Sequence, residues 1–253
     1  FSINESLCSL SYACKGKKST KEGKTLKIDS EKNGNFIKGL CLGLAVILMG
    51  AAIAALPFSG GVEGLIHGWK QILIAPCPLI TDFFGIGGIS ATFFNAAICS
   101  FACWLIAVVS RAKVNASFLA AYLLVVAHCF YGMNFLNIWP CYIGVILYYI
   151  KKKKDFREHL HIAMFSMAFG PLVSEMLLRY PIGDTFEPGV AGFTLTGIFL
   201  TLVIGLAAGM VLPGMLEGAL WMHKGYNLYN GGLAFGLVGC FLYAFLYLSL
   251  IHI

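Results

Sequence analysis

Few residues in this chain can do chemistry, and most stand at the edges of apolar runs. The stretch "PLITDFFGIGGI", residues 78–89, sets Thr81 and Asp82 ahead of Phe83 and then packs in Gly85, Gly87 and Gly88. A hydroxyl and a carboxylate at that point have two readings. They cap the helix beginning near Phe83, whose first amides have no partner of their own. Alternatively they offer oxygens to a cation or a proton where a short membrane-entering segment meets a full crossing. Asn227 and Asn230, ahead of the Gly231–Gly232 pair, carry the same two readings. Glu63, His67 and Lys70 share one helical face of residues 62–75, and Glu217 and His223 stand in a similar segment, 213–225. These either line a solute path or face water and headgroups. Glu175 follows Pro171 in "FGPLVSEM". An ionisable group within a span is costly unless it meets a cavity or a partner, so Glu175 is a candidate coupling site. Asn95, in mid-run, makes an interhelical hydrogen bond or touches a ligand. His128, Asn134 and Asn137 flank what reads as a short outer turn and are expected at the membrane boundary.

Other chemistries leave no signature. Gly85-x-Gly87-Gly88 is not followed by the Lys-Ser/Thr of a phosphate-binding loop. There is no H-E-x-x-H and no G-x-S-x-G, so no catalytic residue is assigned. The nine cysteines show no C-x-x-C or zinc spacing, and six of them (Cys41, Cys99, Cys103, Cys129, Cys141 and Cys240) lie in apolar runs. There cysteine behaves as a small hydrophobe. No metal and no cofactor is expected.

The elements that must position these residues are apolar helices. Of 253 residues, 58% are hydrophobic and 12% charged, against about a quarter charged in a soluble domain. The expected fold is an all-α, polytopic transmembrane helix bundle with short re-entrant or interfacial helices. Residues 1–35 read as a flexible, Lys-rich cytoplasmic tail. Seven apolar segments follow near 36–56, 83–109, 115–132, 133–150, 160–178, 189–212 and 231–250, each long enough to cross about 30 Å of hydrocarbon. Lysine and arginine cluster before the first, at Arg111 and Lys113, and at Lys151–Lys154 with Arg157. Basic and non-basic loops thus alternate, which puts the N-terminus in the cytoplasm; the expected location is the inner (plasma) membrane. The net charge of +6 belongs to these loops and does not point to nucleic acid. Residues 62–75 would form a helix of about 21 Å, too short to span. Pro76 and Pro78 then stop it.

"EGLIHGWK" from Glu63 and "EGALWMHKG" from Glu217 are alike, and both follow a long Gly/Ala-rich span. The same offset carries the first span onto the sixth. Read as a duplication, this divides the chain into a five-span repeat over 36–178 and the start of a second over 189–253. An odd number of spans inverts the second copy, the plan of many transporters. The last six residues, "LSLIHI" (248–253), resemble a translated transposase adapter, so the chain is expected to be a truncated fragment.

The stretches "GLIHGWKQILIAPCPLITDFFGIGGISATFFNAA", "MNFLNIWPCYIGVILYY", "FGPLVSEM" and "GYNLYNGGLAFG" resemble an uncharacterised bacterial membrane family, domain of unknown function 1576. The resemblance covers most of residues 62–245. It implies a polytopic bacterial protein and supplies no substrate. As architecture alone, the five-plus-five plan looks like the urea-transporter fold, without that family's glutamine- and asparagine-proline pore motifs.

A transporter or channel for a small solute is the leading functional expectation. Sparse ionisable groups favour a neutral or singly charged solute, or a proton-coupled one. The alternatives are an intramembrane enzyme using His67, Asp82 and Glu175, and a membrane sensor or assembly factor. The expected partners are the lipid bilayer, a small-molecule solute and, in a homo-oligomer, a second copy of the chain.

Overall fold

The computed structural model describes residues 20–77, 81–179, 192–224 and 230–245. Helix α1 (Thr20–Ala54) begins well before the expected first span and carries part of the Lys-rich stretch with it. It stops where Pro57 removes an amide and Gly60 and Gly61 take positive φ of 75° and 72°, a conformation that side chains resist. Helix α2 (Gly61–Leu73) follows, and Pro76 prevents its continuation. Then come α3 (Phe83–Val109), α4 (Ala116–His128), α5 (Trp139–Lys151), α6 (Leu160–Ser166), α7 (Gly170–Arg179), α8 (Leu195–His223) and α9 (Asn230–Tyr243). A single 3₁₀ turn, Met167–Phe169, joins α6 to α7. No strand occurs among the described residues.

Four stretches are long and apolar enough to cross a membrane: Lys32–Ala54, Phe83–Val109, Leu160–Leu178 and Leu195–Ala219. This is the core of an integral, multi-pass membrane protein. The expected third and fourth spans are different. Helices α4 and α5 have 13 residues each, about 20 Å, which falls short of the hydrocarbon core.

One end of the bundle gathers the basic residues. Gly34 on α1 lies beside the Val114 carbonyl. Lys113 pairs with Glu158, and its amide donates to the Arg157 carbonyl. Lys154 lies 3.9 Å from Glu217 on α8. The Gly34 region of α1, the end of α3, both ends of the α4–α5 pair and the Glu217 turn of α8 therefore share this basic face. At the opposite end, the Ser90 hydroxyl donates to the Ala52 carbonyl, which joins α3 to the end of α1.

The second short segment is not a separate helix. Residues 195–223 run as one α-helix with Pro213 inside it, because Pro213 interrupts the ladder without a following turn that could redirect the chain. The pairing of 62–75 with 213–225 is therefore not matched by two like elements. The closing "LSLIHI" and Asn227 lie outside the described residues.

Small residues set the closest approaches. A Cβ on Gly205 would come within 2.5 Å of Pro140, and one on Gly209 would overlap the Cys141 carbonyl. This is how α8 packs on α5, as the Gly205-xxx-Gly209 spacing predicts. Gly236 meets nothing within 4 Å among the described residues, so it sets no close approach there.

Candidate functional site

The site is built from two hairpins that enter from opposite ends. The first begins with α2, which leaves the Ser59 turn. Asp82 then caps α3, its carboxylate accepting from the Phe84 amide at 2.9 Å. Six residues on, Gly88 has φ 78° and ψ 173°, outside any helix. This combination is essentially restricted to glycine. It turns the short arm, residues 83–87, back along the long arm, residues 89–109. Phe84 consequently lies 5.9 Å from Phe93, centroid to centroid, and both meet Phe130. In a straight helix those two residues would be separated by about 13 Å along the axis. The long arm alone measures about 30 Å and makes the crossing. The short arm packs on α2 through glycine: a Cβ on Gly68 would overlap the Gly87 carbonyl, and one on Gly87 would come within 2.6 Å of Ile72 Cδ1. Ser59 supports the break by accepting from the Ser90 amide at 3.3 Å.

The second hairpin is α4 and α5, which rise from the basic face and return to it. Its tip, residues 129–138, is non-helical backbone yet largely buried. Backbone of this kind survives at membrane depth only where protein satisfies its polar groups or water reaches it. Three asparagines do this here. Asn95 on the long arm of α3 donates to the Cys129 and Met133 carbonyls at 3.0 and 2.9 Å. Asn134 Oδ1 accepts from the Leu136 and Asn137 amides, while its Nδ2 donates to the Ile72 carbonyl. Asn137 Oδ1 accepts from the Asn134 amide, and its Nδ2 donates to the Gly132 carbonyl and the Ser174 hydroxyl, both at 2.8 Å. Gly170 leaves room for this, since a Cβ there would lie 2.7 Å from Asn137 Oδ1.

The two tips meet. The Asn134–Ile72 bond and the bond from the Thr81 amide to the Tyr131 carbonyl at 3.3 Å both cross between them. The buried Cys77 thiol donates to the Ala75 carbonyl at 3.3 Å, and Thr81 and Glu175 lie within electrostatic range of it. Glu175 is 8% exposed and sits on α7 beside Ser174. Among the described residues the junction thus gathers amides, hydroxyls, the Cys77 thiol and the Glu175 carboxylate. Asn95 Oδ1 is buried with no hydrogen-bond partner among the described residues.

The family profile described as Protein of unknown function (DUF1576) matches residues 62–248, which include both hairpins. The chain belongs to the DUF1576 family. No curated protein and no solved structure matches it.

In this DUF1576 member the sequence candidates separate into groups. Asn95, Thr81 and Glu175 come together at the junction. Asp82 is an exposed helix cap, and Glu63 and His67 are exposed on α2. Glu217 is exposed at the basic face beside Lys154. His223 and Asn230 end α8 and begin α9. Asn134 and Asn137, expected at an outer boundary, are instead buried at the tip. The reason is that α4 and α5 turn back inside the bundle. Ser174 and Cys77 went unnoticed, because a lone serine or cysteine in an apolar run has no pattern of its own.

Proposed function

We propose that this protein is a transporter or channel for a small solute, which passes where the two hairpin tips meet. The observation that carries this reading is the opposed pair of hairpins with buried non-helical backbone between them. Broken helices at mid-depth place polar backbone and amide groups where a solute can exchange its hydration for protein contacts. Asn134 and Asn137 spend their amides on the tips themselves, so they hold the hairpins rather than the solute. Asn95 Oδ1, with no hydrogen-bond partner among the described residues, is the acceptor offered to the solute; Thr81 and Glu175 stand at the same junction, Asp82 caps the short arm directly after Thr81, and Glu63 and His67 stand on the first hairpin nearer its entrance. So few charges suit a small neutral or singly charged solute. Gathering of lysine and arginine at one face supports a cytoplasmic basic side in the plasma membrane.

The test is flux in proteoliposomes of the full-length protein, read by light scattering under imposed gradients of small neutral and monovalent solutes. At least one solute should equilibrate faster than in protein-free vesicles. Asn95→Val should slow it about tenfold, the effect of losing about 1.4 kcal/mol of stabilisation along the path. Rates equal to protein-free vesicles for every solute would sink the reading.

A further inference from the structure

Two helices end alike at the basic face. At the end of α3 the Arg111 amide donates to the Val108 carbonyl and the Ala112 amide to the Ala107 carbonyl. At the end of α5 the Lys153 amide donates to the Ile150 carbonyl and the Lys154 amide to the Tyr149 carbonyl. These are two copies of one helix-ending turn, whose left-handed residue is usually glycine. Here it is Arg111 with φ 52° and Lys153 with φ 54°. A side chain at such a φ crowds the following carbonyl, a steric cost that glycine would avoid. Each turn carries a long cationic side chain instead.

Those cations are not neutralised within the described chain. The three carboxylates that meet this face are each engaged: Glu158 by Lys113, Asp155 by Arg157 and Glu217 by Lys154. Arg111, Lys151, Lys152 and Lys153 are exposed and have no carboxylate partner among the described residues. Lys152 Nζ stands 5.9 Å from the centre of the Tyr148 ring, a contact that steadies the ammonium and leaves its charge in place. Just inward of the cations, Val109 and Ile150 are 73% and 59% exposed. Each helix therefore passes, within one turn, from a side chain that acyl chains can cover to a cation at headgroup depth. The contacts of Lys113 with Arg157 and Glu158 tie the two helix ends to one another.

We propose that these two ends form a binding site for an anionic phospholipid, its phosphate held by Arg111 and Lys153 and its acyl chains laid against Val109 and Ile150. The planar guanidinium of Arg111 meets two phosphate oxygens at once. Lys151 and Lys152 add positive charge at the same depth, where basic residues attract anionic headgroups. Because α5 closes the second hairpin, a bound lipid ties that hairpin to the end of α3.

The experiment uses the full-length protein in a neutral detergent. Dioleoyl phosphatidylglycerol and dioleoyl phosphatidylcholine are added at equal concentration, and native mass spectrometry reads which lipid is retained. Phosphatidylglycerol should be retained at least about fivefold over phosphatidylcholine, and Arg111→Gly combined with Lys153→Gly should bring that ratio below about twofold. Glycine suits both turns, so without lipid the double variant should unfold at no lower a temperature than the original chain. Lys70→Gln, which removes a cation from the first hairpin, should keep the ratio. Equal retention of the two lipids, or an undiminished ratio in the double variant, would overturn the inference. So would inorganic phosphate that raises the unfolding midpoint as much as phosphatidylglycerol does, since the cations would then serve a soluble anion. None of these readouts involves flux, so the transport reading can fail while this site stands, and the reverse.

Discussion

Replacing Asn137 with alanine should unlock the second hairpin, and its effect can be worked bond by bond. The side chain makes three hydrogen bonds, to the Gly132 carbonyl, the Ser174 hydroxyl and the Asn134 amide. All lie in the interior, where no water replaces the lost partner. A buried group left unmet costs about 1–3 kcal/mol, whereas hydrogen bonds inside membrane bundles average about 0.6 kcal/mol. Taking about 1 kcal/mol for each, Asn137→Ala loses about 3 kcal/mol. For a chain of this size that lowers the unfolding temperature by about 6–12 °C. The assay is thermal unfolding in detergent, with Glu63→Gln as the exposed control. Glu63→Gln should move the midpoint by less than about 2 °C, since surface substitutions away from such features change stability little. If Asn137→Ala also shifts it by less than about 2 °C, the tip is not held by these bonds and the reasoning fails.

Further expectations follow from single contacts. Gly88→Ala must adopt φ 78° and ψ 173° and should cost about 1–3 kcal/mol, read as a lower unfolding midpoint. Gly209→Val should separate α8 from α5 and lower the midpoint more than Gly236→Val, which meets open space among the described residues. Asp82→Asn keeps the cap on the Phe84 amide and should leave the midpoint unchanged, while Asp82→Ala should lose about 1 kcal/mol. At the basic face, a hydrogen bond and the charge of Lys113 hold the Glu158 carboxyl below its usual range, and Arg157 does the same for Asp155. Because both folded values are lowered, this stabilisation is present above about pH 4.5 and is lost as pH falls through them. Lys113→Gln should flatten the acid limb of a stability–pH curve that is measured in low salt.

Much of the fold was legible because hydropathy and charge are strong local signals. The runs at Lys32–Ala54, Leu160–Leu178 and Leu195–Ala219 announce themselves as spans, and the short helix after Gly61 is marked by Pro76 and its polar face. The reversal at Cys129–Ile138 was not legible, and the charge pattern could not reveal it. A hairpin that returns to its own side has the same parity as two full crossings. Arg111–Lys113 and Lys151–Arg157 thus look alike in either case. The distinguishing signal was helix length, since Asn134, Asn137 and Pro140 divide residues 115–150 into pieces too short to span. The break at Gly88 was not legible either, since nothing in the Gly85-x-Gly87-Gly88 spacing separates Gly88, which takes a positive φ, from Gly87, which packs against Ile72. Asn95 was recognised because a polar residue in mid-span has to be explained. Its partners were not, because they are backbone carbonyls and leave no trace in sequence.

The account rests on the second hairpin turning back within the bilayer to meet the first. Single cysteines at positions 63, 113, 136 and 153, in a background with Cys8, Cys14 and Cys240 changed to serine, test this with a membrane-impermeant thiol reagent applied from either side of oriented vesicles. Lys113→Cys and Lys153→Cys should react from one side only, Glu63→Cys from the other only, and Leu136→Cys from neither. Rapid labelling of Leu136→Cys from the side that labels Glu63→Cys would put the turn across the membrane and contradict the account.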